Sequence, residues 1–457
     1  MTLQSINPTT GELVRTYDEL DDQAAADRVE ATHQAWLRWR DEPLAKRVAR
    51  IEALAGVLEA QTDHAARLMA VEMGKPLAEG RAEIDKCAWL CRWYAEHGPG
   101  FLADEPAATD ALRSYVAWRP LGVILAIMPW NFPYWQVFRF AVPALLAGNA
   151  GVLKHASNVS GCALHIEALV QEAGFPTDLF STLLLSSGRV APVLEHPRIV
   201  AATLTGSTPA GRAVASTAGR LLKKTVLELG GSDPYVILED ADLDLAAEAC
   251  ATARLINGGQ TCIAAKRFVV LDAVAEPFTE RLVSRMAARR LGDPLEEGTD
   301  LGPQARLDLR DDLQRQVDGS LAAGARCLLG GETPAGPGAF YPPTVLADIA
   351  PGMPAWDEEL FGPVAAITSV PDEEAAIAAA NDTVFGLGAA VFTRDLARGE
   401  ALARDRLEAG SCFVNTFVRS DPRLPFGGVK ESGYGRELGV QGVREFLNAK
   451  TVWIDGP

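Results

Sequence analysis

Cys262 lies in the stretch NGGQTCIAAKR, residues 257–267, with Gly258 and Gly259 just upstream. Glycines permit positive φ and close approach of a ligand, so this turn offers an accessible thiol. Glu228 stands earlier, at the end of an apolar run in LELGGSDP (227–234). A thiol and a carboxylate, each beside glycines, are the parts of covalent catalysis followed by activation of water. A lone cysteine is more often a small buried hydrophobe, but that reading leaves several other unusual segments unexplained. One is PWNFP (129–133), where two prolines pin Asn131 behind the apolar run LGVILAIM (121–128). The turn places Asn131 at the C-terminal end of a buried strand, where α/β sheets hold ligands. Its amide can donate to an oxyanion there, although asparagine in a turn is commonly a cap or turn former.

Other segments suit an anionic ligand. LKHASN (153–158) puts Lys154 at the end of a short apolar strand, to meet a phosphate or ribose or else to be solvated, and Ser157 or Asn158 is expected to cap the next helix. TGSTPAG (205–211) joins an apolar strand to a helix N-terminus, a phosphate-binding geometry. It is no P-loop, because Arg212 and Ala213 stand where Lys and Ser/Thr belong, and no GxGxxG occurs. ATP chemistry is therefore not expected, and a nucleotide must be held by a different phosphate contact. The loop SDPRLPFGGVKESGYGRE (420–437) is too rich in Gly, Pro and charge to be core, and long loops of this kind carry function.

The positioning elements read as α/β. Residues 21–98 are patterned as helices, with breaks expected near Pro43, at 73–76 and at Gly98-Pro99, and look like a scaffold layer. Residues 121–230 alternate strand and helix, which predicts a parallel sheet. A second α/β pattern begins after Pro234, with strands at 235–238 and 267–271 and helices at 243–255 and 275–290. Further helices are expected at 308–323 and 375–381, and strands at 389–393 and 410–415. Residues 450–454 alternate like an edge strand, which needs a pairing partner.

The chain has 457 residues, room for two to four domains, and a net charge of −17. Such acidity makes nucleic acid an unlikely partner. An anionic substrate would need a local positive group against that field. Seven cysteines without regular spacing suggest a reducing, cytoplasmic setting rather than a disulfide framework. Cys87 and Cys91, at i, i+4, read as helix packing, and six histidines without HxxxH give no support for a metal site. The polar start MTLQSINPTTGE has no signal-peptide core, and no run of about 18 apolar residues exists to span a membrane.

PWNFP, LTGS, LELGG, GQTC, EELFGP and LPFGGVKESG occur in an order and spacing that resembles the NAD(P)-dependent aldehyde dehydrogenase superfamily, over essentially the whole chain. LKHASN, WQVFRF and SDPRLPFGG look like its short bacterial succinate-semialdehyde dehydrogenases. The resemblance implies an α/β fold: a Rossmann-like cofactor domain (1–110 and 130–230), an α/β catalytic domain (231–430) and a small β oligomerisation element (111–129 and 440–457), assembled as a homodimer or homotetramer. It makes Cys262 the nucleophile, Glu228 the general base, and Asn131 with the Cys262 N–H the oxyanion hole. It assigns Trp130, Lys154, Ser157, Gly206, Ser207, Leu229, Glu359 and Phe361 to the cofactor, NADP with NAD as the alternative. It gives Arg139, Trp135 and Ser420 to the substrate, and implies an aldehyde oxidised through a thioester. Three positions depart from the pattern. Ser157 replaces a glutamate of many NAD-preferring relatives, which would repel a 2′-phosphate. Ile256 replaces an arginine of the longer succinate-semialdehyde enzymes, leaving Arg139 alone of that pair. Ala264 replaces the second cysteine of a redox switch. Oxidation of another small aldehyde, acyl transfer to CoA, and a non-catalytic binding role on the same fold remain as alternatives.

Overall fold

The computed structural model describes residues 2–456. An N-terminal hairpin (Thr2–Ile6 with Leu13–Asp18) leads into four helices, Asp22–Trp39, Leu44–Ala60, Thr62–Met73 and Leu77–Phe101. Asp21 caps the first, its side chain accepting from the Ala24 N–H at 2.7 Å. The expected breaks at Pro43 and 73–76 occur, but the one at Gly98-Pro99 does not: the last helix runs to Phe101 with Pro99 inside. Pro99 withholds one i→i−4 hydrogen bond in the final turn, and the helix ends two residues later. Cys87 and Cys91 are fully buried on this helix.

Two sheets position the chemistry. The first has six strands in the order 433–434, 224–228, 199–205, 123–128, 150–155, 180–182. All pair in parallel except the short 433–434 edge. The central strand Val123–Met128 is buried on nearly every residue, as an apolar run covered on both faces must be. Its place here corrects the expected boundary that gave residues 111–129 to the oligomerisation element; only Arg113–Pro120 leaves this sheet. That strand pairs antiparallel with the terminal strand Leu447–Ile454 and with Glu105–Pro106. The terminal strand forms one edge of this three-stranded sheet, and Trp453 on it is 48% exposed.

The second sheet has seven strands, in the order 326–329, 344–347, 364–370, 267–271, 234–237, 388–392, 411–414, with only the first pair antiparallel. Its helix Leu243–Leu255 is capped by Asp242 and matches the expected span. The helix expected at 275–290 instead runs from Asp272 to Ala287. Each sheet has its own core, one built around 123–128 and its neighbours, the other around Tyr235, Phe268 and Phe278. No helix among the described residues is long and apolar enough to cross a membrane.

Candidate active site

The cysteine loop leaves the end of helix Leu243–Leu255 and turns through three successive positive-φ residues, Asn257, Gly258 and Gly259. Asn257 tolerates this because its side chain ties the loop down: its Nδ2 donates to the carbonyls of Asn131 (2.7 Å) and Gln260 (3.1 Å). Its N–H donates to the half-buried Glu79 carboxylate. Gly259 has no substitute, since a Cβ there would lie 2.2 Å from the Gly362 carbonyl oxygen. A Cβ on Gly231 would lie 2.2 Å from the Cys262 carbonyl oxygen. The motifs around Glu228, Cys262 and Glu359 are therefore packed backbone to backbone.

Cys262 sits where two cavities meet. One, of about 240 Å³, is lined by Asn131, Thr205, Gly206 and Glu359 among others; the other, of about 330 Å³, by Trp135, Arg139, Phe426 and Ser420. Cys262 lines both. Its side chain keeps surface facing the cavities, while burial in the surrounding protein pushes the thiol up to about 12; the Arg139 guanidinium pulls the other way. Asn131 is buried, with its Nδ2 donating to the Gln260 carbonyl at 2.9 Å and its Oδ1 unpartnered. An amide nitrogen carries two hydrogens, so one remains for an oxyanion.

Glu228 ends the strand Lys224–Glu228, is 1% exposed, and neither carboxylate oxygen has a hydrogen-bond partner. Burial raises it well above the usual carboxylate range, and Arg139 opposes that most. A carboxylate whose affinity for protons is raised in this way is a stronger base towards water than an exposed one. The loop 420–437 folds over this strand: the Leu229 N–H donates to the Ser432 carbonyl at 3.0 Å, and Ser432 Oγ to the Gly230 carbonyl at 2.6 Å.

On the smaller cavity the structure gathers Trp130, Gly206, Ser207, Leu229, Glu359 and Phe361. Trp130 and Phe361 meet edge to face at 5.6 Å. Helix Thr208–Arg220 starts here, with no capping bond from the Ser207 side chain, so the Thr208 and Ala210 N–H groups stay open to a phosphate. Glu359 accepts from the Gly231 N–H at 2.9 Å and is raised by burial to about 7. Lys154 and Ser157 do not line this cavity. They lie at the C-terminal end of the adjoining strand Ala150–His155, along the same sheet edge. Lys154 is nearly buried and makes no ion pair among the described residues; burial lowers its pKa. Neither Ser157 nor Asn158 caps the next helix, contrary to expectation: a 3₁₀ turn, Ser157–Val159, intervenes, and helix Ser160–Glu172 begins without a side-chain cap. Lys154 thus puts an unpaired cation, and Ser157 a hydroxyl, at this strand end.

On the larger cavity Trp135, Arg139 and Ser420 come together as expected, but Arg139 has its own partner. Its Nε is paired with Glu437, its Nη2 reaches Thr205 Oγ1 at 3.4 Å, and its guanidinium lies 4.7 Å from the Phe426 ring centre. Both members of the pair are almost wholly buried. Lys86 was missed in the sequence. It sits on helix Leu77–Phe101, lines the cavity, donates to Ser420 Oγ at 2.9 Å, and lies 4.1 Å from the Trp135 ring centre. Glu79, Glu83 and Lys86 fall at i, i+4 and i+7, one stripe of the helix. That polar stripe was a signal that this face borders something other than core.

The aldehyde dehydrogenase family model matches residues 1–452. The chain is 50% identical over 457 residues to a probable NADP(+) succinate-semialdehyde dehydrogenase of Synechocystis sp., covering 99% of this chain and all of the relative. It is 49% identical to a succinate semialdehyde dehydrogenase of Escherichia coli named for NAD(P)+, covering 99% and 97%. Among solved structures, the succinic semialdehyde dehydrogenase of Streptococcus pyogenes in complex with NADP+ superposes with a TM-score of 0.97 at 39% identity, covering 99% of this chain and 100% of that one. With a thiol between two cavities and an identity of this extent along its whole length, the chain belongs to the aldehyde dehydrogenase family.

Proposed function

We propose that the chain oxidises succinate semialdehyde to succinate with NADP+, as the printed names of its relatives suggest. The observation that carries this reading is Cys262 at the junction of the two cavities, one with dinucleotide-binding features and one walled by rings and cations. The thiolate adds to the aldehyde carbon, and the oxyanion takes a hydrogen bond from Asn131 Nδ2 and the Cys262 N–H. When bound, the nicotinamide supplies the hydride acceptor and a positive charge that favours the thiolate. The aldehyde carbon, having lost hydride, is left as a thioester on Cys262. Glu228 then takes a proton from water, the water oxygen attacks the thioester carbon, and the thiolate leaves with the C–S electron pair. Lys154 and Ser157, at the strand end beside the smaller cavity, would admit a 2′-phosphate, and this favours NADP over NAD. The exposed edge of Leu447–Ile454 supports assembly into a homo-oligomer, and the work is done in the cytoplasm.

A panel of aldehydes with NADP+ and with NAD+, each with and without CoA, tests this. Succinate semialdehyde with NADP+ should give the highest kcat/KM, with free succinate as product. Preference for an uncharged aldehyde, or succinyl-CoA as the main product, would overturn it.

A further inference from the structure

The substrate cavity contains more cations than the chemistry at Cys262 uses, and they are not equivalent. Arg139 is neutralised by Glu437 in a buried pair. Arg419 also lines the cavity but is exposed, where solvent and salt screen a charge. Lys86 is the third. Its ammonium makes no ion pair among the described residues, and the acidic groups facing it are taken: Glu83 by Lys75, Asp421 by Arg423 at 2.6 Å. Glu79, on the same stripe, accepts from the Asn257 N–H at 3.0 Å. Lys86 is held in place on two sides, by the Ser420 hydroxyl oxygen and by the face of Trp135. An ammonium has three hydrogens, and one bond to Ser420 leaves others free. Because Ser420 accepts from Lys86, its own hydroxyl hydrogen is free to turn to the same acceptor. Two donors thus converge on one spot of the wall of a cavity that ends at the thiol.

We propose that Lys86, oriented by Ser420 and Trp135, binds the distal carboxylate of the substrate and sets the preference for aldehydes that carry a terminal anion. This rests on the succinate semialdehyde reading. It gives Lys86 the anchoring role expected of Arg139 from sequence, and leaves Arg139 to balance Glu437 and Glu228. An unpaired cation facing the cavity meets a carboxylate without first giving up a partner; Arg139 would have to share Glu437.

The test is the ratio of kcat/KM for succinate semialdehyde to that for butanal, at saturating NADP+, in the full-length wild type and in K86M, K86Q and K86R. Loss of a charged hydrogen bond should lower the ratio about 10-fold or more in K86M and K86Q, mainly through KM for succinate semialdehyde, with KI for succinate rising in step. K86R, which keeps the charge, should hold most of the ratio. If K86M fails to fold, K86Q gives the same neutral comparison. A wild type with no preference for succinate semialdehyde overturns the functional reading itself. A wild type with that preference, retained in either neutral variant, overturns the role of Lys86 alone, as does a K86R ratio as low as that of K86M.

Discussion

Replacing Asn131 with alanine separates chemistry from scaffolding, because the structure lets the two costs be weighed apart. The side chain makes one hydrogen bond, from Nδ2 to the Gln260 carbonyl, while its Oδ1 is buried and unpartnered. Losing the bond costs about 0.5–1.5 kcal/mol, and removing a buried unsatisfied oxygen returns an amount of similar size. The loop keeps its other ties. Asn257 Nδ2 still reaches the Gln260 carbonyl at 3.1 Å, and the Asn131 backbone carbonyl, which survives the substitution, still accepts from Asn257 at 2.7 Å. Stability should therefore change by about 1 kcal/mol or less. The oxyanion, by contrast, loses a donor in a dry site, worth about 2.7–4 kcal/mol, or roughly 100- to 1000-fold in kcat/KM. Rapid-mixing measurement of the first turnover, beside thermal melting of the same preparation, reads both. A fall in activity under about tenfold (about 1.4 kcal/mol) would refute the oxyanion assignment. A large fall matched by a collapse in melting temperature would mean that Asn131 only supports the cysteine loop.

Three further outcomes follow from the same geometry. Ser157→Glu should lower the NADP/NAD ratio of kcat/KM by placing a carboxylate beside the 2′ position; an unchanged ratio would show that this sheet edge does not read it. Burial, with Arg139 next, depresses Lys86 to about 8, while Cys87, Asp421 and Glu83 act against that. Its positive charge is thus nearly complete well below pH 8, halved at about 8 and lost as pH rises further. The kcat/KM ratio of succinate semialdehyde to butanal should fall as pH rises through about 8, with titration of Cys262 common to both substrates; a flat ratio from pH 6 to about 9.5 would contradict an anchoring ammonium. Deleting residues 448–457 removes the partner of strand 113–120 as well as the exposed edge, so light scattering should show monomers or aggregates, and an unaltered oligomer mass would contradict an interface there.

The sheet-forming runs were legible because burial on both faces leaves a compositional trace. LGVILAIM announces strand Val123–Met128 and RFVVL the strand Arg267–Leu271, and the parallel order followed from their alternation with helices. Strands Thr344–Ala347 and Val364–Val370 left weaker traces. The first is only four residues between prolines and irregular chain, and gains its burial by pairing with the second. The cap expected at 157–158 failed because a 3₁₀ turn absorbed those residues before the helix began. Asn131, Glu228 and Cys262 could be picked out one by one because each stands beside prolines or glycines; that Asn131 and Cys262 line one cavity could not be read locally. Lys86 could not be picked out: its stripe on a long helix marks a polar face, but which cavity that face borders is settled by how helix 77–101 packs against Trp135 and the 420 loop. The ion pair that occupies Arg139 joins residues almost 300 positions apart, and no local pattern announces it.

The proposed reaction passes an acyl group through Cys262 and releases it with the help of Glu228. Glu228→Gln keeps the shape of the base and removes its function, so the intermediate should accumulate. The direct measurement is mass spectrometry of this variant after mixing with succinate semialdehyde and NADP+, followed by peptide mapping. A burst of NADPH close to one per active site is expected, with a succinyl group on the peptide carrying Cys262. Steady turnover without an adduct, or a succinyl group on any of the other six cysteines in its place, would contradict it.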